Sequence, residues 1–233
     1  MKKEITTLFI DLDGTVYDRK NGMMEEMTER IASYIQQVLH VAPERIPGLI
    51  DRYYQTYGSS LRGIQNEFSV DPEDYLAFVH DIDLDHYLQP DIALRDHLAA
   101  IPIPKWILTN ANRSHAERVL CKLGITDLFE GILDVWSMEY IPKPHPWVYQ
   151  HALEMVGDPD PWQCVLIDDS VRNLKPAQQI GFSTIWVGDG EVPASAHLSI
   201  QRLHELPTAL DLITNDLILP EIFMSVSDLQ FVL

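Results

Sequence analysis

Short apolar runs that end abruptly in polar residues are the feature that most restricts how this 233-residue chain folds. Three such runs are each followed at once by a polar side chain: 8–10 before Asp11, 106–108 before Thr109, and 164–167 before Asp168. Apolar runs of this length are typical of buried strands, and the segments that follow them have helical spacing of apolar residues. Strands that alternate with helices predict an α/β fold with a doubly wound parallel sheet.

One long stretch departs from this alternation. Between about residues 16 and 90 the sequence predicts three successive helices, at about 23–41, 47–57 and 72–79, with no strand between them. Because these helices directly follow the first strand, we expect them to form an inserted all-helical cap domain over 16–90. Residues 1–15 and 91–233 then make up the α/β core domain.

The polar residues that follow the strands are predicted to form one site. Ligands bind at the carboxyl ends of the strands in sheets of this kind. Asp11 and Asp13 are two positions apart, which places both on the same side of an extended chain. Gly14 then permits a tight turn that brings backbone amides near an anion. Asp11 and Asp168 offer the hard oxygen ligands that Mg²⁺ prefers.

Phosphoryl transfer to a carboxylate is the chemistry that this set of residues favours. Such a reaction needs a cation, donors for the phosphoryl oxygens and an acid for the leaving group. Asp11 is the candidate nucleophile, and Asp13 is placed to protonate the leaving oxygen and later to activate water. Thr109 and the amide of Asn110 can donate hydrogen bonds to the phosphoryl group, and Lys143 adds a positive charge.

The chain resembles the haloacid-dehalogenase (HAD) superfamily, whose four motifs occur here in the expected order. They are the DLDGT motif that begins at Asp11, then Thr109, Lys143, and the pair Asp168–Asp169. The resemblance implies a HAD-type, Rossmann-like core, a helical cap of the first cap class, and an aspartyl-phosphate on Asp11. It also implies Mg²⁺ held by Asp11, the backbone carbonyl of Asp13, and Asp168. Asp169 would be a partner of Lys143, or of the metal through water.

Three stretches are similar to the pyrimidine 5′-nucleotidases of this superfamily. They are residues 53–63, LTNANRSHAERVLCKLGITDLFEGI at 108–132, and IDDSVRNLKPAQQIGF at 167–182. The resemblance implies a pyrimidine nucleoside 5′-monophosphate as the substrate. Gly58 and Gly63 predict a short polar loop between cap helices. From this loop Leu61 would offer an apolar wall and Arg62 a planar set of hydrogen-bond donors.

Other functions remain compatible with parts of this pattern. A sugar-phosphate phosphatase or a phosphomutase would have the same core. So would a catalytically silent regulatory protein, but such a protein is expected to lack one of the acids or the lysine, and all of them are present here. A dehalogenase also uses an aspartate nucleophile, but Asp13 favours phosphoryl transfer because an alkoxide needs a proton and a halide does not. A phosphonate hydrolase of this superfamily uses a cap lysine to form a Schiff base. Lys20 is the only lysine between Asp13 and residue 90, so it is the only candidate for that role. A two-component receiver domain would be much shorter.

The charge of the chain limits its partners. A formal net charge of −18 argues against binding to nucleic acid or to an anionic membrane surface. A small anionic substrate is still compatible, provided that a few basic residues and a cation are concentrated in one cleft. The sequence has no apolar stretch of transmembrane length, and its first residues lack a signal-peptide core. We therefore expect a cytoplasmic protein that acts on a small phosphomonoester.

Overall fold

A parallel sheet is the centre of the computed structural model, which describes residues 3–215 and 224–225. The described strands are β1 (Thr7–Ile10), β2 (Lys105–Leu108), β3 (Gly131–Leu133), β4 (Cys164–Asp168), β5 (Ser183–Val187), β6 (Leu198–Ile200) and β7 (Met224–Ser225). They lie in the order β3-β2-β1-β4-β5-β6-β7, and every neighbouring pair is parallel. The chain leaves β1 first towards β2 and β3 and then returns to β4, so the predicted doubly wound sheet is confirmed.

Ten helices of the described residues connect or precede these strands. They are α1 (Met23–Gln37), α2 (Ile46–Tyr57), α3 (Ser60–Glu67), α4 (Pro72–Val79), α5 (Leu84–Tyr87), α6 (Ile92–Ala99), α7 (Arg113–Leu123), α8 (Pro146–Met155), α9 (Val171–Gln179) and α10 (Leu206–Thr214). Side chains alternate across each strand, and β1 shows the result. Leu8 and Ile10 pack with helices α6, α7 and α10, whereas Phe9 packs in a second cluster with α8 and α9.

Helices α1 to α4 lie between β1 and β2 and share a hydrophobic cluster of their own. Ile35, Tyr53 and Ile64 are fully buried in it, and they come from three different helices. The start of this helical segment and the helix that follows it pack elsewhere, because Met23 of α1 and Leu84 of α5 belong to the sheet's cluster. The helical segment therefore has a separate core and is joined to the sheet at both of its ends.

The predicted polar loop between Gly58 and Gly63 is wrong, because helix α3 begins there. Gly58 ends α2 with a φ of +83°, and the Ser59 side chain caps the first turn of α3. Gly63 lies inside the helix instead of breaking it. The ring of Tyr53 takes the space beside it, so a Cβ at position 63 would lie 2.2 Å from Cγ of Tyr53. This glycine is required for close helix packing.

Most other elements agree with the sequence-based expectation to within a few residues. Helix α5 and strands β6 and β7 are not predicted. The final helix, expected at about 207–217, ends at Thr214, with residues 216–217 outside the described part of the chain. Over 3–215 and 224–225, no helix combines the length and apolarity that crossing a membrane requires.

Candidate active site

A cavity of about 280 Å³ lies where the carboxyl ends of β1 and β2 meet the helices α1 to α4. The structure brings most of the sequence-predicted site residues to it. The cavity lining includes Asp11, Asp13, Leu61, Thr109, Asn110, Lys143 and Asp169. Asp168 is fully buried beside this lining, where it contacts Lys143. Arg62 is exposed, and it is not among the residues of the lining.

Lys143 connects the two predicted acidic motifs. Its Nζ donates a hydrogen bond to Oδ1 of Asp11 at 2.7 Å and another to Oδ2 of Asp168 at 2.8 Å. The lysine side chain is only 1% exposed. Burial alone would lower the pKa of Lys143, but the two carboxylates raise it above its usual value. The residue therefore remains an ammonium ion inside the protein.

Asp11 directly follows β1 and is closely surrounded by other acids. Its Oδ2 accepts a hydrogen bond from the hydroxyl of Thr15 at 3.1 Å. Burial, together with the charges of Asp168 and Asp169, raises the pKa of Asp11 well above its usual value, although Lys143 opposes this shift. Burial and the neighbouring acids thus disfavour the ionised form of Asp11, which Lys143 favours.

The DLDGT turn requires its glycine. Gly14 has a φ of +83°, and a Cβ there would lie 2.7 Å from Oδ2 of Asp169. A side chain at position 14 would therefore separate the first motif from the acidic pair. The hydroxyl of Thr15 joins the same two segments, because it also accepts a hydrogen bond from the backbone N–H of Asp169 at 3.0 Å.

Thr109 and Asn110, which follow β2, have different roles. The Thr109 hydroxyl accepts a hydrogen bond from the N–H of Ala111 at 3.0 Å, which leaves its own hydrogen available to a ligand. The Asn110 side chain instead holds the backbone of Lys143: its Oδ1 accepts from the lysine N–H at 2.8 Å, and its Nδ2 donates to the lysine carbonyl at 3.1 Å. Asn110 therefore fixes the segment that presents the lysine.

Comparison with known proteins identifies the family. Residues 5–181 match the family model for haloacid dehalogenase-like hydrolases. The chain belongs to this family. Phosphate metabolism protein 8 of Saccharomyces cerevisiae is 30% identical to this HAD-like hydrolase over 191 residues, which are 76% of this chain and 60% of the yeast protein. The chain thus spans about 60% of the length of that relative.

Solved structures share the fold of this HAD-like hydrolase. A HAD phosphatase from Thermococcus onnurineus is 18% identical with a TM-score of 0.60, over 88% of this chain and 98% of that one. The L-2-haloacid dehalogenase of Xanthobacter autotrophicus has 17% identity and a TM-score of 0.54, over 89% and 98%. The HAD-family protein YfnB of Bacillus subtilis, in a magnesium-bound crystal, has 18% identity and a TM-score of 0.56, over 90% and 100%.

The acidic residues of this HAD-like hydrolase fit a divalent cation. Asp11, Asp168 and Asp169 each offer a carboxylate oxygen, and these oxygens all lie within 4.8 Å of one another. Burial and the charge of Asp168 raise the pKa of Asp169 to about 6, although Arg19 contacts it at 2.6 Å. Crowded carboxylate oxygens of this kind suit Mg²⁺. The cluster includes two of the predicted ligands, Asp11 and Asp168, and adds Asp169.

Asp13 lies in a different electrostatic environment from Asp11. Its Oδ1 accepts a hydrogen bond from the Tyr17 hydroxyl at 2.7 Å and lies 2.9 Å from Nε2 of His115. Burial alone would raise the pKa of Asp13, but the charge and hydrogen bond of His115 lower it to about 2. Asp13 is therefore a carboxylate at neutral pH in the substrate-free protein.

Two contacts join the end of α2 to the sheet side of the cavity. Gly58, at the end of α2, approaches the core so closely that a Cβ there would lie 2.7 Å from the carbonyl oxygen of Lys143. Arg172 of α9 donates to the carbonyl oxygens of Tyr54 at 2.6 Å and Gln55 at 3.1 Å. The end of α2 is thus fixed directly over the lysine.

Four further residues of the site are not predicted from the sequence. They are Thr15, Tyr17, His115 and Asn173. Asn173 donates to both oxygens of Asp168, at 2.9 and 3.0 Å, and so orients this carboxylate. Thr15 is part of the DLDGT motif and could have been found there. His115 lies within the stretch 108–132 that carries the nucleotidase resemblance, but nothing in the sequence indicates that it contacts Asp13.

Proposed function

We propose that this HAD-like hydrolase is a magnesium-dependent phosphomonoesterase with Asp11 as its nucleophile. The observation that supports this most strongly is the buried Lys143, which contacts both Asp11 and Asp168 beside the free hydroxyl hydrogen of Thr109. A fixed ammonium ion and a donor at the floor of a cavity stabilise the charge of a phosphoryl group. The name of the yeast relative and the HAD phosphatase among the fold neighbours agree with this proposal.

In the proposed first half-reaction, a carboxylate oxygen of Asp11 forms a bond to phosphorus while the bond between phosphorus and the alcohol oxygen breaks. Lys143 and the Thr109 hydroxyl donate to the phosphoryl oxygens that carry the charge. Asp13 transfers a proton to the leaving oxygen, so that the alcohol departs neutral. Mg²⁺ at the acidic cluster would supply positive charge that offsets the repulsion between carboxylates and phosphate.

In the second half-reaction, water attacks the phosphorus of the aspartyl-phosphate and Asp13 takes a proton from that water. The bond between phosphorus and Asp11 then breaks, which restores the carboxylate and releases inorganic phosphate. Asp13 is ionised in the substrate-free protein, as a group that accepts a proton must be. In the first half-reaction, the negative charge of the bound phosphoryl group raises the proton affinity of Asp13, as a nearby like charge does.

We further propose that residues 16–90 act as a cap that selects a small pyrimidine nucleoside 5′-monophosphate. The cap side of the cavity is largely apolar, with Met27, Ile31 and Leu61, and it also includes the side chain of Tyr54. Its volume of about 280 Å³ lies at the lower end of the usual range for ligand pockets, which favours a small substrate. Because Arg62 does not line the cavity, we assign recognition to residues that do, which include the partly exposed Tyr54.

The test of the proposed reaction is the phosphoenzyme itself. Asp11→Asn should abolish both phosphate release and covalent labelling by a ³²P-labelled substrate, because an amide is a poor nucleophile. Asp51→Asn, an exposed aspartate on α2, is the matched control and should behave as wild type. Labelling that persists in Asp11→Asn, or a wild-type protein that releases no phosphate with Mg²⁺ present, would contradict the proposal.

A further inference from the structure

One carboxylate oxygen of Asp13 takes both of the hydrogen bonds made to that side chain. Oδ1 is the partner of the Tyr17 hydroxyl and of Nε2 of His115. A carboxylate only accepts, so Nε2 carries the hydrogen. Within residues 3–215, Oδ2 of Asp13 has no hydrogen-bond partner, and Asp13 lines the cavity. Oδ2 is therefore the oxygen left to exchange a proton with a bound substrate.

The ring of His115 is held in one orientation. Its side chain is fully buried, and its backbone N–H donates to the side chain of Asn112 at 3.0 Å. The ring stacks on that of His80, with centroids 4.3 Å apart and planes 15° apart. Arg118, one turn further along α7, donates to the carbonyl oxygen of His80 at 2.9 Å. The donor to Asp13 is thus fixed both by α7 and by the chain that follows α4.

A fixed orientation matters at this carboxylate more than at most others. A general acid or base acts only within hydrogen-bond reach of the atom with which it exchanges the proton. A carboxyl group that rotates freely loses this alignment, and a misplacement of about 1 Å can cost ~100-fold in rate. His115 is not in contact with Lys143 or Asp168, so its effect on the reaction passes through Asp13.

We propose that His115, together with Tyr17, is a positioning residue that holds Asp13 with Oδ2 towards the leaving oxygen and, later, towards the attacking water. This inference rests on the proposed function. A histidine that only packs would change stability without distinguishing one substrate or one half-reaction from another. A positioning residue affects the steps that need proton transfer.

The experiment compares two substrates by rapid-quench kinetics with Mg²⁺ present. UMP has an alkoxide leaving group that needs a proton, whereas p-nitrophenyl phosphate has a good leaving group that needs none. The variants are His115→Leu, which removes the donor, His115→Gln, which keeps an N–H donor, and Tyr17→Phe. His151→Leu on α8, remote from the cavity lining, is the matched control. Melting temperatures identify any variant that fails to fold.

We expect phosphoenzyme formation from UMP to be about 10–100-fold slower in His115→Leu. This is less than the full ~10²–10⁴-fold contribution of general acid–base catalysis, because Asp13 itself is still present. Formation from p-nitrophenyl phosphate should stay within about threefold of wild type. Hydrolysis of the phosphoenzyme should slow by the same factor for both substrates, since the intermediate is the same. His115→Gln should recover most of the loss, and Tyr17→Phe should show the same pattern with a smaller amplitude.

Three outcomes would overturn the inference. The first is equal slowing of phosphoenzyme formation for both substrates in folded His115→Leu, and the second is no slowing for either. If His115→Leu does not fold, Tyr17→Phe provides the same comparison. The third outcome is then that Tyr17→Phe changes phosphoenzyme formation equally for UMP and for p-nitrophenyl phosphate. A wild-type protein that dephosphorylates neither substrate would instead overturn the proposed function, and this inference with it.

Discussion

Replacement of Lys143 by methionine tests whether its charge holds the site together. Methionine keeps much of the apolar stem but removes the ammonium group that contacts Asp11 and Asp168. Two carboxylates, 10% and 0% exposed, are then left without their cation. We expect this change to lower the free energy of unfolding strongly in metal-free buffer. The loss should be larger at pH 8 than at pH 5, because protonation of one carboxyl group relieves the repulsion.

The magnitude follows from the two contacts at 2.7 and 2.8 Å. A hydrogen bond to a charged group contributes about 1.5–3 kcal/mol. Removing one partner of a buried ion pair costs about 3–5 kcal/mol, because the other charge stays buried. The free energy of unfolding should therefore fall by about 3–5 kcal/mol in Lys143→Met. The loss is not larger because Asp11, once it has lost its lysine, can take up a proton and so avoid a buried charge.

Lys105 provides a matched control. It is also a buried lysine, 6% exposed, and its Nζ donates to the carbonyl oxygens of Ile101 at 2.7 Å and Ile103 at 3.0 Å. These acceptors are neutral, so Lys105→Met should cost about 1–3 kcal/mol with little dependence on pH. Urea unfolding in EDTA, followed by circular dichroism, measures both. Equal losses and equal pH dependence for the two variants would refute the electrostatic explanation.

The remaining predictions concern the metal and the substrate. A chelator should abolish phosphate release and Mg²⁺ should restore it. Mg²⁺ at 100 times its Kd should add about 2.7 kcal/mol of stability to the wild type and much less to Asp168→Asn, as thermal denaturation would show. Values of kcat/KM should be higher for UMP and CMP than for AMP and glucose 6-phosphate. Tyr54→Phe should lower the value for UMP, whereas exposed Arg62→Ala should not; equal values for all four substrates would remove the nucleotidase proposal.

The core of the site was predictable because strand ends and sheet topology place it. Asp11, Thr109 and Asp168 each end an apolar run, and β2, β1 and β4 are adjacent parallel strands, so their carboxyl ends meet. Lys143 belongs to no strand, and only the order of motifs in the HAD resemblance indicated it. Its position depends on the two hydrogen bonds between its backbone and the Asn110 side chain, which spacing alone does not reveal.

The side of the cavity formed by helices α1 to α4 was harder to predict, because its features depend on packing between distant segments. Gly63 resembles a helix breaker in the sequence, but the ring of Tyr53 requires a residue without a side chain there. The resulting helix α3 carries Leu61 into the cavity lining and leaves Arg62 exposed. His115 is 102 residues from Asp13, and no local pattern connects a buried helical histidine to an aspartate so far away.

The charge balance of the site explains how an acidic protein can receive an anionic substrate. Burial, together with the charges of neighbouring acids, raises the pKa values of Asp11 and Asp169, although Lys143 and Arg19 oppose these shifts. The three acids Asp11, Asp168 and Asp169 share two basic groups, because Lys143 contacts Asp11 and Asp168 and Arg19 contacts Asp169. A phosphate dianion brought to the same place would add to the deficit. A divalent cation at the acidic cluster would remove this deficit, because each carboxylate that held the metal would no longer repel the substrate. The proposed magnesium dependence rests on this excess of three acids over two basic groups.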